Sequence, residues 1–346
     1  MISLRGSIGI SIICVLIGLT IYSFAMYEAR SPSVPPFHFW VTGYDGGFYS
    51  YDGSALERIA VPASNDLTDV AWRHDHSYAL VVGKNSTILK YDGHSVVMIP
   101  TGLPSYVSFY GVSWKADDSE ALIVGSSGRV LVFDGNNATL LDSGLNDTIY
   151  AVSWNPKQSL ALLAGDNGLV AEYDGHTFAR INATRVFPHK DPYILYTVAW
   201  SPTGAYALIA GSWATLFKYS SGVIAQIDML QLFGNDVDDA HWIRVVKFND
   251  FDGTALILGH HGATILYDRG SLQRTRNYTT LSGAQDDLHH IGHFWGFEWI
   301  PGTKIAIAVG PTFDATPTGF IARISDMKVT LVTHGGASIL TSVSNP

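Results

Sequence analysis

The sequence predicts an all-β protein, a seven-bladed β-propeller preceded by one apolar N-terminal helix. Three observations predict it. A unit of four short strands recurs along most of the 346 residues, and the two ends of the repeated region supply complementary fragments of one further unit. Residues 8–27 form an apolar run without a charged residue. Four strands repeated every 40 to 50 residues or so are the signature of a propeller blade.

The N-terminal apolar run is long enough to span a bilayer. We expect residues 1–30 to form a transmembrane signal anchor with Arg5 on the cytoplasmic side. The alternative is a signal peptide cleaved after Ala25, because Ser23 and Ala25 are small residues at suitable positions. We favour the anchor because the run is long for a signal peptide. Residues 31–37 then form a stiff proline-rich linker, followed by the propeller over residues 38–346.

The repeated unit is clearest over residues 150–181. Its first run, 150–154, alternates large and small residues with the period of two that a strand requires. Its second run, 160–164, is apolar throughout and ends at Gly165, as expected for a strand buried on both faces. The third run ends in Asp174-Gly175, a pair suited to a tight hairpin turn, and a fourth strand follows at 177–181.

Each copy of the unit ends its first strand in an aromatic anchor, and a small-apolar run ending in glycine follows. The anchors lie 40 to 51 residues apart, at Trp72, Trp114, Trp154, Trp200, Phe248 and Trp299. These define six full units between residues 67 and 332. The first strands also share an alternation in which bulky residues occupy one face, so we expect Tyr110, Tyr150 and Tyr196 to pack in the core between blades.

The seventh blade is predicted to be assembled from both ends of the propeller. Residues 39–61 supply a second, third and fourth strand without a first strand. The C-terminal residues 340–344, LTSVS, resemble the first strand LTDVA at 67–71. We therefore expect the C-terminus to complete the first blade, which closes the ring and removes its free sheet edges.

Residues 198–204, VAWSPTG, followed by ALIAG at 207–211, resemble the first two strands of WD-repeat propellers. Tyr-Asp stands where that family has Trp-Asp, and the family's Gly-His pair before the first strand is absent. The chain therefore resembles a divergent member of the WD-repeat-like superfamily over about residues 38–346. The resemblance implies an interaction platform, although a fold does not determine a function.

Composition limits the function. The net charge of −9 and the absence of a basic stripe argue against nucleic-acid binding. The single cysteine, Cys14, lies in the apolar run, which leaves the propeller without a disulfide and excludes a thiol nucleophile there. Five Asn-x-Ser/Thr sequons favour an extracytoplasmic, glycosylated propeller; they begin at Asn85, Asn137, Asn146, Asn182 and Asn277.

One face of the ring is predicted to carry the binding surface. In this repeat, the turn between the second and third strands opens on the same face as the connection to the next blade. The long insertions fall there, at residues 185–195, 224–242, 271–294 and 311–318. Long loops on a rigid scaffold are where recognition usually resides. We call this side of the ring the loop face.

The loop face also gathers the candidate site residues. Exposed loop aromatics that suit a sugar or a protein partner include Trp213, Tyr193, Phe233 and Trp295. The residues we favour for ligand binding are Trp213, Asp238, Asp239, His260, His261 and Trp295. A divalent metal is the one cofactor considered, because imidazoles bind zinc, copper and iron, with His289, His290 and His293 as ligands. Two alternatives are solvated histidines and a contact surface that responds to pH near neutrality.

We favour a membrane-anchored extracellular module that binds a protein or a glycan and is not an enzyme. The chain contains no GxSxG elbow, no P-loop and no GxGxxG that opens a helix. The alternative function is an extracytoplasmic hydrolase or metal-dependent enzyme that uses the histidines and aspartates of the loop face. A third possibility is a subunit of a larger membrane complex, held through the N-terminal helix.

Overall fold

The computed structural model describes residues 36–182, 193–229, 232, 242–275, 277–279, 292–312, 317–334 and 338–346. It shows seven sheets, each built on four antiparallel strands. The first strands of consecutive blades contact one another all round the ring and enclose a central channel. The prediction of an all-β, seven-bladed propeller is therefore confirmed.

Each blade runs from an innermost strand at the channel to an outermost strand at the rim. In that order, the first blade contains Leu340–Ser344, Phe39–Gly43, Gly47–Tyr51 and Leu56–Arg58. The second contains Leu67–Trp72, Ala79–Gly83, Ile88–Tyr91 and Val96–Met98. The third contains Phe109–Trp114, Ala121–Gly125, Val130–Phe133 and Ala138–Leu141. The fourth contains Ile149–Trp154, Ala161–Gly165, Val170–Tyr173 and Phe178–Ile181.

The remaining three blades follow the same order. The fifth contains Leu195–Trp200, Ala207–Gly211, Leu216–Ser220 and Val223–Gln226. The sixth contains Ile243–Phe248, Ala255–Gly259, Thr264–Asp268 and Ser271–Arg274. The seventh contains Gly296–Trp299, Ile305–Pro311, Gly319–Ser325 and Lys328–His334, with Asn277–Thr279 added in parallel at its outer edge. Single 3-10 turns occur at Ser126–Gly128, Asp166–Gly168 and His260–Gly262.

The second strands of blades two to six are buried on both faces, as the sequence pattern predicts. In Ala161–Gly165 every residue is buried, and the same holds for the second strands of blades two, three, five and six. Such strands contact a neighbouring blade on either side, which is why they contain only small and branched apolar residues. The apolar core consists of clusters that lie between blades.

The aromatic anchors also bind one blade to the previous one. The indole Nε1 of Trp114 donates a hydrogen bond to the carbonyl of Ala71 at 3.2 Å, across the boundary between the second and third blades. The Nε1 of Trp200 donates equivalently to Ser153 at 3.0 Å. Each of these tryptophans therefore fills the space between blades and satisfies its polar atom on the neighbouring strand.

The aromatic-Asp-Gly motif stabilises the turn between the third and fourth strands. In the second blade, the Tyr91 hydroxyl donates to the Gly93 carbonyl at 2.9 Å. An Asp92 carboxylate oxygen accepts the backbone N–H groups of His94 at 2.9 Å and Ser95 at 2.7 Å. These hydrogen bonds lower the pKa of Asp92 to about 2. Tyr173 and Asp174 repeat the arrangement in the fourth blade, so the recurrence of Asp-Gly has a structural cause.

The C-terminal strand completes the first blade, as predicted. Val343 is fully buried and pairs with Val41. The Thr341 hydroxyl donates to the Leu67 carbonyl at 2.7 Å, and the Ser342 hydroxyl bonds the Asp69 carboxylate at 2.8 Å. The strand therefore joins the N-terminal part of the propeller to the second blade, and the ring has no open sheet edge at its centre.

The predicted membrane anchor lies outside the described residues. Among the residues that the structure describes, no helix has the length and apolar character needed to cross a bilayer.

A backbone hydrogen bond closes each of the first six blades at the loop face. The residue after the second-strand glycine donates its N–H to the carbonyl just before the first strand, as Asp166 does to Thr148 at 2.9 Å. The glycine must then lie against that carbonyl. A Cβ on Gly165 would come within 2.1 Å of the Thr148 oxygen. A similarly close approach to a carbonyl oxygen occurs at the corresponding glycine of every other blade: Gly43, Gly83, Gly125, Gly211, Gly259 and Gly310.

The closure is accompanied by a β-bulge in the first strand of six blades. In the fourth blade, Ile149 pairs with Gly165 and Ala151 pairs with Ala164, so Tyr150 is left as an extra residue between them. A bulge redirects the side chain of the extra residue. The bulged residues are Thr68, Tyr110, Tyr150, Tyr196, Arg244 and Thr341. In the seventh blade Trp295 holds the equivalent place, immediately before Gly296.

We predict that Gly165→Ala lowers the free energy of unfolding by about 1–3 kcal/mol, because the new methyl group must displace the Thr148 carbonyl. The backbone at Gly165 is extended, with φ −168°, so the effect would come from the close approach and not from the dihedral angle. Urea denaturation followed by tryptophan fluorescence measures it. Gly111→Ala is the control. Its Cβ would come no closer than 3.1 Å to its nearest neighbour, the Tyr150 oxygen, so we expect a smaller loss of stability. Equal losses for the two variants would contradict the prediction.

Candidate ligand-binding site

The bulged residues converge at the loop-face end of the central channel. Together with Trp295, they line a cavity of about 250 Å³ to which the turns between second and third strands add Tyr44 and Lys84. We call this cavity the channel mouth. Its position follows from the fold, because the same bulge in six of the blades points one side chain towards the axis.

Aromatic rings form an arc along one side of the channel mouth. The ring centroids of Tyr110 and Tyr150 are 5.1 Å apart, and those of Tyr150 and Tyr196 are 5.5 Å apart. Tyr196 stacks on Trp242 at 5.9 Å. Burial raises the pKa of the Tyr150 and Tyr196 hydroxyls, so both stay protonated at neutral pH. The arc therefore presents tilted apolar rings with hydrogen-bond donors at their edges.

The opposite side of the channel mouth is built differently. Tyr44 contacts Trp295 with ring centroids 5.9 Å apart. The Nζ of Lys84 lies 5.5 Å from the Tyr44 ring centroid and 2.7 Å from an oxygen of Asp66, so the charge of this lysine is compensated. Thr68 and Thr341 are small and use their hydroxyls to bind backbone carbonyls. The mouth is therefore lopsided, with an aromatic side and a smaller polar side.

Arg244 provides the central positive charge of the channel mouth. Its guanidinium carbon lies 4.2 Å from the ring centroid of Tyr196, 5.6 Å from Trp242 and 5.7 Å from Trp295. Its Nε donates to the Nε2 of His260 at 3.0 Å. Burial lowers the pKa of Arg244 below its usual value, although it remains a cation at neutral pH. Within the described ranges, Arg244 forms no ion pair with a carboxylate.

Three of the predicted histidines form a cluster behind Arg244. His260 and His261 belong to the 3-10 turn after the second strand of the sixth blade, and His293 precedes the first strand of the seventh. The ring centroids of His260 and His293 are 4.2 Å apart, and those of His261 and His293 are 5.1 Å apart. His260 also packs on Trp242 at 5.1 Å. The cluster therefore contacts Arg244 through His260, whose ring packs between His293 and Trp242.

Burial keeps two of these histidines neutral. It lowers the pKa of His260 to about 2, with a further contribution from the charge of Arg244, and that of His293 to about 4. Neutral His260 can accept the Arg244 hydrogen bond at its Nε2, which fixes its tautomer. For these two side chains, the structure therefore does not support the hypothesis of a contact surface that titrates near neutrality.

The predicted metal site is only partly within the described residues. His289 and His290 lie outside them. The Nδ1 of His293 accepts the backbone N–H of His261 at 3.2 Å. In the part of the chain that the structure describes, no group of three or more histidine, cysteine, aspartate or glutamate side chains is placed to hold a metal ion. The set His289, His290 and His293 stays a prediction.

The other predicted site residues have different positions. Trp295 lines the channel mouth. Trp213 is partly buried and packs against the core of the fifth blade, and Tyr193 is buried with 7% of its surface exposed, so neither is an exposed loop aromatic as expected. Asp238, Asp239 and Phe233 lie outside the described residues.

Most of the channel mouth was not predicted from the sequence. We expected Tyr110, Tyr150 and Tyr196 to pack in the core with the anchors, and the structure corrects this. Strict alternation places Tyr110 on the same face as Val112, but the bulge interrupts the alternation, and Phe109 takes the buried place. A signal was available, because the equivalent position reads Thr, Tyr, Tyr, Tyr, Arg, Trp and Thr round the ring, unlike the apolar residues beside it.

Deeper in the channel, the wall is polar. A cavity of about 640 Å³ runs along the first strands. Asp69 lines it and accepts hydrogen bonds from the Val112 N–H at 3.0 Å and the Ser342 hydroxyl at 2.8 Å. Burial raises the pKa of Asp69, although these two hydrogen bonds act to lower it. The Nζ of Lys247 is 2.7 Å from an oxygen of Glu298. Asp69 and Lys247 thus both have polar partners in the wall of the deeper channel.

No protein-family model and no curated protein sequence matches the chain. Among solved structures, the chain is similar to one described as "YCF48 bound to D1 peptide". The two share a TM-score of 0.56 and 12% sequence identity, over 79% of this chain and 82% of that chain. At this identity, the likeness concerns the fold alone, and it agrees with the propeller described above.

The histidine cluster predicts a dependence of stability on pH. Unfolding returns His260 from a pKa of about 2 to the ordinary value near 6.5. The unfolded chain therefore binds more protons below about pH 6.5, and the free energy of unfolding must fall as the pH is lowered from there. Each such group contributes a slope of at most about 1.4 kcal/mol per pH unit.

We expect His260→Gln to reduce this slope between pH 6.5 and pH 4, because glutamine can accept the Arg244 hydrogen bond without titrating. Urea denaturation at a series of pH values measures the slope. His94→Gln is the control, since His94 is exposed at an outer turn, and it should retain the wild-type slope. An unchanged slope in His260→Gln would show that this side chain does not link folding to protonation.

Proposed function

We propose that this protein is a membrane-anchored, extracytoplasmic binding module whose channel mouth receives a peptide segment of a partner protein. The observation that carries the proposal is the ring of aromatic and basic side chains at one end of the channel, to which five blades contribute the same strand position. The alternation of buried and exposed residues along the first strands does not require aromatic or basic side chains at this position. A binding role accounts for their concentration at one place.

The composition of the ring suits a protein partner. Tyrosine, tryptophan and arginine dominate the residues that contribute most to protein interfaces, because they offer large contact areas and few rotatable bonds per unit of area. Tyr150, Tyr196 and Trp295 supply such surfaces at the channel mouth. Their hydroxyl and indole groups can bond to the peptide groups of a bound segment.

A peptide fits the mouth better than a glycan does. Sugars stack on open aromatic faces, whereas these rings lie 5.1 to 5.9 Å from one another and partly cover each other's faces. A solved propeller of similar fold, YCF48, is bound to a peptide, the D1 peptide. The resemblance to WD-repeat propellers, which implies an interaction platform, supports the same choice. The net charge of −9 argues against nucleic acid.

The proposed location depends on the N-terminal sequence and on the sequons. Residues 8–27 are long enough to anchor the chain, with secretion after cleavage as the alternative. Four sequon asparagines are exposed: Asn85, Asn137, Asn146 and Asn182. Of the Asn277 side chain nothing is described. These positions are compatible with glycosylation of an extracytoplasmic domain.

Peptide capture tests the binding proposal. The full chain, immobilised in detergent, would be incubated with a pool of random twelve-residue peptides, and the retained peptides identified by mass spectrometry. We expect the wild type to enrich a defined subset. A Tyr150→Ala/Tyr196→Ala variant should retain this subset at least about 10-fold less well, because two aromatic contact surfaces are lost.

Tyr106→Ala is the matched control. Tyr106 is also a loop-face tyrosine, but it lies outside the channel mouth and is 79% exposed, so its loss should leave capture unchanged. If the wild type enriches no peptide but binds to a glycan array, the ligand is a glycan and not a peptide. If Tyr106→Ala reduces peptide capture as much as the double variant does, the channel mouth is not the binding surface.

Glycosylation and extraction test the location. Expressed in cells that carry out N-glycosylation, the full chain should gain electrophoretic mobility after enzymatic removal of N-glycans. It should stay in the membrane pellet after an alkaline carbonate wash. Asn137→Gln should increase the mobility of the untreated chain by one glycan, whereas Asn136→Gln, which lies beside the sequon, should not. A chain whose mobility is unaffected by glycan removal would contradict the extracytoplasmic location, and a soluble glycosylated chain would favour the cleaved form.

A further inference from the structure

We propose that Arg244 binds the C-terminal carboxylate of the peptide, so that the channel mouth selects a free chain end. This inference rests on the proposed function and names the group that the site recognises. The channel mouth holds a positive charge, that of Arg244, which no carboxylate of the described residues balances.

The cations and anions of the channel mouth can be assigned one by one. Lys84 is paired with Asp66 at 2.7 Å. Asp166 lies near the Tyr150 hydroxyl, where burial and then the charge of this carboxylate raise the pKa of the hydroxyl. Arg244, by contrast, is surrounded by the rings of Tyr196, Trp242 and Trp295 and by a neutral histidine, and no carboxylate of the described residues pairs with it.

A cation that is largely removed from water is costly unless an anion accompanies it. The aromatic faces give Arg244 some compensation through cation–π contacts, but these are weaker than a charge-assisted hydrogen bond. The protein thus keeps a positive group at the edge of a cavity where an incoming anion would complete its coordination. Deeper in the channel, Lys247 already has a carboxylate partner, since its Nζ lies 2.7 Å from an oxygen of Glu298.

The orientation of the guanidinium favours a carboxylate. His260 accepts the hydrogen bond of the Arg244 Nε, which leaves the four N–H groups of the two terminal nitrogens. These form the end-on fork that matches the two oxygens of a carboxylate. Among the described residues, those terminal nitrogens donate to no protein acceptor. His260 and Trp242 therefore act as positioning residues that hold the fork in the channel mouth.

The carboxylate at the end of a chain fits the channel mouth better than one within a chain. The mouth encloses about 250 Å³ and lies on the axis, surrounded by the first strands of all seven blades. A chain end can enter such a space as a single strand. An internal segment must bring the chain in and out again, which needs room for two strands. The rings beside Arg244 would then contact the last side chain of the peptide.

Two matched peptide pools test the inference with the full chain. Both contain random hexapeptides without aspartate or glutamate, so that the terminal carboxylate is the only one present. One pool ends in a free carboxylate and the other in an amide. We expect the wild type to retain the free-acid pool about 10- to 100-fold better than the amide pool, which is the effect of losing a charged hydrogen-bond partner.

Variants test whether Arg244 causes the difference in retention between the two pools. Arg244→Gln should reduce retention of the free acids to the level of the amides, and Arg244→Lys should give an intermediate value because it keeps the charge without the fork. Arg180→Gln is the control, because it removes one positive charge, as Arg244→Gln does. Arg180 lies on the outer strand of the fourth blade, paired with Asp147 at 2.9 Å, and its loss should leave retention unchanged. Circular dichroism verifies that each variant is folded.

The comparison of the two pools uses the wild type alone and so does not depend on the folding of any variant. Equal retention of both pools, lost in Tyr150→Ala/Tyr196→Ala, would overturn the carboxylate inference and leave the peptide-binding function in place. Retention of neither pool would overturn both. If amidated peptides bind only when aspartate and glutamate are included in the pool, Arg244 recognises a side-chain carboxylate, and the selection of a chain end is wrong.

Discussion

The backbone hydrogen bond that closes six of the blades at the loop face is the constraint on which the rest of the structure depends. It requires glycine at the end of the second strand, because a side chain there would meet the accepting carbonyl. It places that carbonyl one residue before the first strand, next to the bulge. The bulge in turn sends a side chain towards the axis. A requirement of backbone packing thus creates, once per blade, a position whose side chain is not needed by the core.

This separation explains how the propeller can carry a site without losing stability. The anchors, the buried second strands and the Asp-Gly turns fix the blades, and those positions vary little from unit to unit. The bulged position is free to vary, and round the ring it holds threonine, tyrosine, arginine and tryptophan. In the sixth blade the closing hydrogen bond itself runs from His260 to the Trp242 carbonyl, at 2.9 Å. The side chains that orient Arg244 are therefore positioned by the same interaction that closes the blade.

Much of the fold could be predicted from the sequence because it depends on periodic patterns. The anchors at Trp114 and Trp154, the runs ending in Gly125 and Gly165 and the match between residues 340–344 and 67–71 determined the number of blades and the closure. The channel mouth could not be predicted in this way, because a bulge changes the direction of one side chain without changing the pattern around it. Strict alternation therefore assigned Tyr150 to the core. The histidines were noticed for their chemistry, yet their burial behind Arg244 could only be seen in three dimensions.

The neutral state of His260 connects the electrostatics of the site with its selectivity. A protonated imidazole could not accept the Nε hydrogen bond, and it would add a second positive charge beside the guanidinium. Burial prevents this by lowering the pKa of His260 to about 2. The sixth blade therefore presents one cation of fixed orientation, held between aromatic rings and a neutral acceptor. No carboxylate of the described residues pairs with this cation, so a ligand of the kind we propose would supply the negative charge itself. This requirement, more than the shape of the propeller, would distinguish the channel mouth from the central opening of an unspecialised ring.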